Sequence, residues 1–230
     1  MAWHCSGTTN ASLVANLRQH DIIRSERVAN AFLQVDRGDF LRQGGRPYED
    51  SPQLLGWQAT ISAPHMHAEC TEALLDFLQP DMHALDIGSG SGYLSAIFAC
   101  LVGARGRVTG LEHIPELVQH SRRAVRKHHA HLLDHGILTL EEGDCLALPS
   151  DRFAPDSLDA IHVGAAASAI PPAWFTWLRA PGRLIVPVGK ADGDQILECW
   201  TKDAHGHLSQ EALMGVRYVP LCTKSEQMSR

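Results

Sequence analysis

The 230-residue chain carries little excess charge of either sign, and its formal net charge is −6. A protein whose main task is gripping nucleic-acid phosphates shows a basic surplus, so that class loses ground at once. The densest basic run, "SRRAVRKHH" at 121–129, holds only four Arg or Lys and sits on a helical pattern, which reads as a solvated face. Its six cysteines, at 5, 70, 100, 145, 199 and 222, form no C-x-x-C pair. They read as reduced, mostly buried thiols of an intracellular protein and not as a disulfide framework. No basic stretch followed by an apolar one opens the chain, so no secretory signal is expected. The longest apolar run, "LSAIFACLVGA" at 94–104, is too short to span a bilayer. Repeats and low-complexity segments are absent, and a cytosolic protein is the expectation.

What is present is a change of period along the chain. Residues 10–36 read as two helices, the first capped by Asn10 and the second by Ser25. Residues 37–58 are rich in Gly and Pro and read as a long loop, which in a compact domain is more often functional or disordered than filler. "HMHAECTEALLDFLQP" then gives a helix ended by Pro80. Beyond it, apolar strands at 84–87, 107–111, 137–141, 158–163 and 183–188 alternate with helical stretches at 91–102, 115–128 and 171–179. That alternation predicts an α/β fold, a doubly wound, mostly parallel, Rossmann-like sheet. Runs at 195–200 and 213–221, with no helix between them, predict a C-terminal antiparallel hairpin. The expected organisation is an N-terminal helical layer and substrate loop over 1–80, packed on the same domain as a cofactor-binding part over 81–230.

In "LDIGSGSGY" an apolar strand runs through Asp86 and Ile87 into Gly88, Ser89, Gly90 and Gly92, and then into a helix. The dinucleotide fingerprint G-x-G-x-x-G needs glycine at 93, which is Tyr93. The spacing here is D-x-G-x-G-x-G. An acid beside the loop is a poor neighbour for a pyrophosphate and a good one for an ammonium group. This is how class I methyltransferases hold the amino-acid end of S-adenosylmethionine. Glu112, twenty residues after Gly92 and followed by His113, stands where an acid at a strand end accepts ribose hydroxyls. Asp144, beside Cys145 in "EEGDC", stands where a carboxylate could meet an adenine amino group. Three acids at the ends of consecutive strands predict a nucleoside-bearing ligand. The fourth strand ends "DAIHVGAAA", without the N/D-P-P-Y/F motif that grips a flipped base, so methylation of a nucleic-acid amine loses its main support.

The stretch "ATISAPHMHA" at 59–68 leaves several readings open. A Ser before Ala-Pro is by default a helix N-cap. His65 and His67 as a metal half-site would need further ligands that the spacing does not offer, and no metal is expected. The "HHAHLLDH" cluster at 128–135 reads as a solvated helix end.

"MAW", "DSPQ" at 50–53, "QATISAPHMHA", "ALDIGSGSGY", "AIHVGAAA", "PGRLIVPVG" and "LMGVRYVPL" resemble, in this order and over nearly the whole length, the protein-L-isoaspartate O-methyltransferase family in its animal, cytosolic form. The resemblance implies methyl transfer from S-adenosylmethionine to the free carboxylate of L-isoaspartyl residues in damaged proteins and peptides, leaving S-adenosylhomocysteine. The ester then closes to a succinimide and opens partly to normal aspartate. It also implies a monomer that needs no nucleic acid or membrane, with isoaspartyl proteins and peptides as its substrates. Ser62 matches the catalytic serine. Ala59, Thr60 and Ile61 match backbone at the cofactor–substrate junction, His67 a site histidine, and Gln227 a C-terminal glutamine. A carboxylate is already ionised at neutral pH and needs no base, so the resemblance makes Ser62 a positioner at a helix N-terminus. Two positions depart from the family pattern: Cys145 replaces the usual Gly after Asp144, and Cys222 replaces a Thr. Losing that hydroxyl would cost about 1 kcal/mol of positioning. The alternatives are another carboxyl methyltransferase on this fold, or a non-catalytic relative that only recognises isoaspartyl ends.

Overall fold

The computed structural model describes residues 5–190 and 192–229; the "MAW" triplet lies outside them. Five parallel strands form the centre: β3 (His83–Ile87), β4 (Arg107–Glu112), β5 (Leu138–Glu142), β6 (Leu158–Val163) and β7 (Leu178–Gly189). An antiparallel hairpin of β8 (Gln195–Lys202) and β9 (Leu208–Val216) completes the seven-stranded sheet, in the order β5-β4-β3-β6-β7-β8-β9. The chain moves outward from β3 through β4 to β5 and then returns to β6 on the other side of β3. The carboxyl ends of β3 and β6 are therefore the switch point where open α/β sheets leave a crevice.

Helices α1 (Asn10–Gln19), α2 (Glu26–Gln34), α3 (Pro64–Leu74), α4 (Tyr93–Val102) and α5 (Pro115–Asp134) share one apolar core with strand residues such as Ala84, Val108 and Leu138. Helix α6 (Pro172–Trp177) buries Trp174 and Trp177 against Leu85, Ile161 and Leu184 in a second core. Strand β3 is buried from Ala84 onward, as a central strand covered on both faces must be.

Several local expectations change. The cap of α1 is Thr9 and not Asn10: Thr9 accepts from Ser12 N–H, while Asn10 is buried and donates Nδ2 to the Phe32 carbonyl at 2.8 Å. Ser25 does cap α2. The 37–58 segment is no structureless loop. It holds a 3-10 turn at Arg37–Phe40 and strand β1 (Gln53–Gly56), which pairs with β2 (Ala59–Ile61) in a tight hairpin. Trp57 and Gln58 turn that hairpin at φ +50° and +59°. Two consecutive non-glycine residues in this region store strain, which is common where a turn aims backbone at a ligand. The Arg42 guanidinium lies 4.2 Å over the Trp57 ring.

Helical turns continue to Asp134, but the backbone kinks at His129 (φ −129°, ψ 31°), directly after the expected helix end at 128, and the His128 side chain is exposed. Strand β7 starts at Leu178, so α6 is shorter than the periodicity suggested. Strand β9 ends at Val216, whereas the apolar pattern ran to 221. Beyond it the chain leaves the sheet edge and pairs with the loop after β6: Ala166 N–H donates to the Val219 carbonyl and Leu221 N–H to the Ala166 carbonyl, both at 2.8 Å.

Candidate active site

The glycine turn between β3 and α4 takes φ of +71°, +52° and +78° at Gly88, Gly90 and Gly92, values open to glycine at no steric cost. Its amides are already spoken for. Gly88 and Ser89 N–H both donate to the Leu111 carbonyl, Gly92 N–H donates to the Ser89 carbonyl, and Gly90 N–H donates to Glu112 Oε2 at 3.0 Å. A phosphate-binding loop points such amides at its ligand. Here a carboxylate stands in that place, which suits a nucleoside without a pyrophosphate.

A cleft opens at this turn, with about 550 Å³ of empty space including the part open to solvent. Gly88, Gly90 and Ile87 form its floor, with Ala59 and Thr60 from β2 on one side. Glu112, His113 and Cys145 come from the ends of β4 and β5, and Cys222 and Gln227 from the C-terminal segment. Burial pushes the Glu112 carboxyl up; N–H groups from Ile114 and Gly90 and the neighbouring His113 pull it back. Its Oε1 accepts from Ile114 N–H at 2.9 Å. The short helix α7 (Lys224–Met228) closes one side through Gln227, whose Oε1 is 2.8 Å from His113 Nε2 and whose Nε2 donates to the Trp57 carbonyl at 2.8 Å.

A smaller, more polar cavity of about 340 Å³ shares Thr60, Gly88, Gly90 and Gly164 with the first. Ile61, Ser62, His67, Asp86 and Ser89 line it. Ser62 is not the N-cap expected for it. Ala63 holds that position and Pro64 starts α3, so the Ser62 side chain owes nothing to the helix. The N–H of His65, in the first turn, is satisfied instead by Asp50 Oδ1 at 2.9 Å. Opposite Ser62, Asp86 gives Oδ1 to His162 Nδ1 at 2.8 Å and Oδ2 to the Ser95 hydroxyl at 2.5 Å. Burial pushes the His162 imidazolium toward neutrality, and the Asp86 hydrogen bond and charge, with Cys70, more than reverse this, raising it to about 10.

The predicted residues thus divide between two connected cavities, and two line neither. Gly92 is the N-cap of α4, where an added Cβ would lie 2.8 Å from Ser121 Cβ. Asp144 gives its Oδ1 to Leu146 N–H at 2.9 Å in a local turn, while its neighbours Gly143 and Cys145 line the wall. Burial raises the Cys145 thiol to about 12, so it stays protonated at neutral pH.

Sequence reasoning missed His162, Gly164 and Ala165, although they lie in the quoted "AIHVGAAA". It also missed Tyr218 and Arg37. Tyr218 is fixed by Gln195, which accepts from its N–H at 2.6 Å, and its phenol interacts with the Ser62 hydroxyl. Beyond Ser62 the site opens into a groove of about 880 Å³ lined by Pro52, Met66, Arg217 and Val219. Among the described residues, no group of three His, Cys, Asp or Glu could hold a metal ion, and no helix is long and apolar enough to cross a membrane.

Residues 8–226 match the family model for protein-L-isoaspartate (D-aspartate) O-methyltransferase. The chain belongs to this family. It is 43% identical over its whole length to the whole protein-L-isoaspartate O-methyltransferase of Caenorhabditis elegans. It is 48% identical to the enzyme of the same name from Triticum aestivum, over 95% of this chain and 94% of that one. Its fold superposes with a TM-score of 0.86 and 33% identity on a crystal structure of the Plasmodium falciparum putative enzyme in complex with S-adenosyl-L-homocysteine. That match covers 94% of this chain and 99% of the other.

Proposed function

We propose that this family member transfers the methyl group of S-adenosylmethionine to the side-lying α-carboxylate of L-isoaspartyl residues in damaged proteins and peptides, with Ser62 positioning the carboxylate. The observation that carries the reading is the join between the two cavities. A cleft with a carboxylate at its wall meets, through Thr60, Gly88, Gly90 and Gly164, a small polar space at Ser62 that opens into a solvent-facing groove.

The residues fit the cofactor. Glu112 would take the ribose hydroxyls, Asp86 with the Gly88–Gly90 turn the methionyl end, and the backbone at Gly143 and Cys145 the base. His113, Cys222 and Gln227 would cover it. The loop amides leave no place for a pyrophosphate, and the cavity needs none. Bound there, S-adenosylmethionine supplies an electrophilic methyl group, which a carboxylate oxygen takes as the carbon–sulfur bond breaks to leave S-adenosylhomocysteine.

The protein's share is placement. The isoaspartyl carboxylate is ionised at neutral pH, so no side chain has to remove a proton from it. Ser62 offers a hydroxyl, the β2 backbone at Ala59–Ile61 offers an edge for the peptide, and Tyr218 and Met66 line the groove beside it. Partial desolvation of the carboxylate and in-line approach then account for the rate. The product ester closes to a succinimide without further help. A monomer working in the cytosol, with no nucleic acid or membrane required, completes the reading. The 1–80 layer supplies Ser62 and His67, while both parts of the chain contribute to the cleft and to the groove.

The test is methyl transfer from labelled S-adenosylmethionine to a matched peptide pair, one with L-isoaspartate and one with L-aspartate. Transfer to the first alone, lost in Ser62→Ala, supports the proposal. Cofactor binding without transfer to either peptide overturns it.

A further inference from the structure

Arg37 has no solvent exposure, and it opens the 37–58 segment that the sequence marked as a loop without singling out this residue. Its Nη2 donates to the Ser62 carbonyl at 2.7 Å, and its Nη1 lies 3.3 Å from His67 Nδ1. The guanidinium carbon sits 5.4 Å from the centre of the Tyr93 ring. Its Nε has no hydrogen-bond partner. Among the described residues, no carboxylate forms an ion pair with it. Asp50, whose charge acts on it, gives its Oδ1 to the backbone and ring of His65 instead. The other buried cation nearby, His162, is already matched by Asp86.

A guanidinium stripped of water and met only by neutral acceptors is unfavourable unless something offsets it. Arginine has donors only, so His67 must accept at Nδ1 and carry its proton at Nε2. His67 and Ser62 line the same small cavity. That cavity therefore has a ring N–H and a hydroxyl, with the Arg37 guanidinium behind them and the buried Asp50 carboxylate acting on that charge without an ion pair to it. Resting on the functional reading above, we infer that Arg37 is a positioning residue that makes the Ser62 cavity an anion receptor. It pins the Ser62 backbone, fixes His67 as an Nε2–H donor, and supplies the charge that draws the isoaspartyl carboxylate out of water.

The test separates charge from scaffolding. Binding of an isoaspartyl peptide, and of the same peptide with its side-lying carboxylate replaced by a carboxamide, is measured by calorimetry with S-adenosylhomocysteine present. Wild type should prefer the carboxylate. Arg37→Met should cut that preference roughly tenfold, as expected for one charge lost at close range, with carboxamide and S-adenosylhomocysteine affinities within about twofold of wild type on the same scale. Arg37→Lys should restore most of the preference. An unchanged preference in Arg37→Met, or a fall in all three affinities together, overturns the inference. Should Arg37→Met fail to fold, 15N imidazole shifts of His67 in the wild-type chain decide: the Nε2–H tautomer supports it and the Nδ1–H tautomer sinks it. Carboxylate-selective binding without any methyl transfer by the wild type would sink the functional reading and leave the receptor standing.

Discussion

The two walls of the small cavity each hold a buried histidine in the opposite state. On one wall His162 sits against Asp86 and is held protonated. On the other, burial first and then the Arg37 charge drive His67 well below its ordinary value, so it is neutral. The Asp86–His162 wall is internally neutral and belongs to the sheet. The Arg37–His67 wall holds a guanidinium that no carboxylate meets in an ion pair among the described residues, and it belongs to the layer added before the sheet. In the reading proposed above, one wall already pairs its charges within the fold and meets the cofactor, whereas the other leaves its guanidinium to an incoming anion. A methyl transfer between a cationic cofactor and an anionic substrate calls for this division.

The largest expected effect comes from breaking the wall whose charges are already paired. Asp86→Asn leaves His162 as a buried, unmatched cation or forces it neutral, and should cost about 3–5 kcal/mol of stability, read by denaturant unfolding. Next is Ser62→Ala on the open wall. Its kcat/KM for an isoaspartyl peptide should fall on the order of 100-fold, the scale of one lost positioning donor, while S-adenosylhomocysteine affinity holds.

The histidines also predict opposing pH slopes. His162, raised to about 10, contributes stability that is whole below about 6.5 and is lost as pH rises through its folded value. His67, lowered, contributes stability that is whole above about 6.5 and is lost as pH falls. Unfolding free energies measured between acid and alkaline pH should pass through a maximum near neutrality. Asp86→Asn should flatten the alkaline side alone. Equal flattening on both sides would contradict the separate assignment of the two rings.

Smaller effects test the cofactor cavity. Glu112→Gln keeps the shape and removes the charge that meets Gly90 N–H; S-adenosylhomocysteine binding by calorimetry should weaken about tenfold. Gln227→Ala removes the two hydrogen bonds that tie α7 to His113 and Trp57, and should weaken the same binding only a few-fold, about 1 kcal/mol.

The same contrast explains what the sequence made legible. The wall proposed for the cofactor is local: a strand, a glycine turn and acids at strand ends announce themselves by period and spacing, and Gly88, Gly90 and Glu112 line one cleft. The substrate wall is assembled across the chain. Arg37 meets Ser62 and His67 over separations of 25 and 30 residues, and no periodicity marks such a meeting. Ser62 was singled out only because its neighbours resembled a family, and its expected capping role failed because Pro64 fixes the helix start one residue later. The hairpin at 53–61 was hidden because Trp57 and Gln58 are not the glycine or asparagine that usually signal such a turn.

The exit of the chain from β9 has a consequence for how much the fold can be altered. Tyr218 and Cys222 reach the cavities because β9 stops at Val216 in fixed register with β8, where Val216 pairs with Gln195. The distal turn at 203–207 lies at the far end of that hairpin, exposed and held by Asp203. Extra residues there would only lengthen a loop. A slip of two residues along β9 would carry Tyr218 about 7 Å from Ser62. The hairpin works as a ruler, free to grow at one end and graduated at the other.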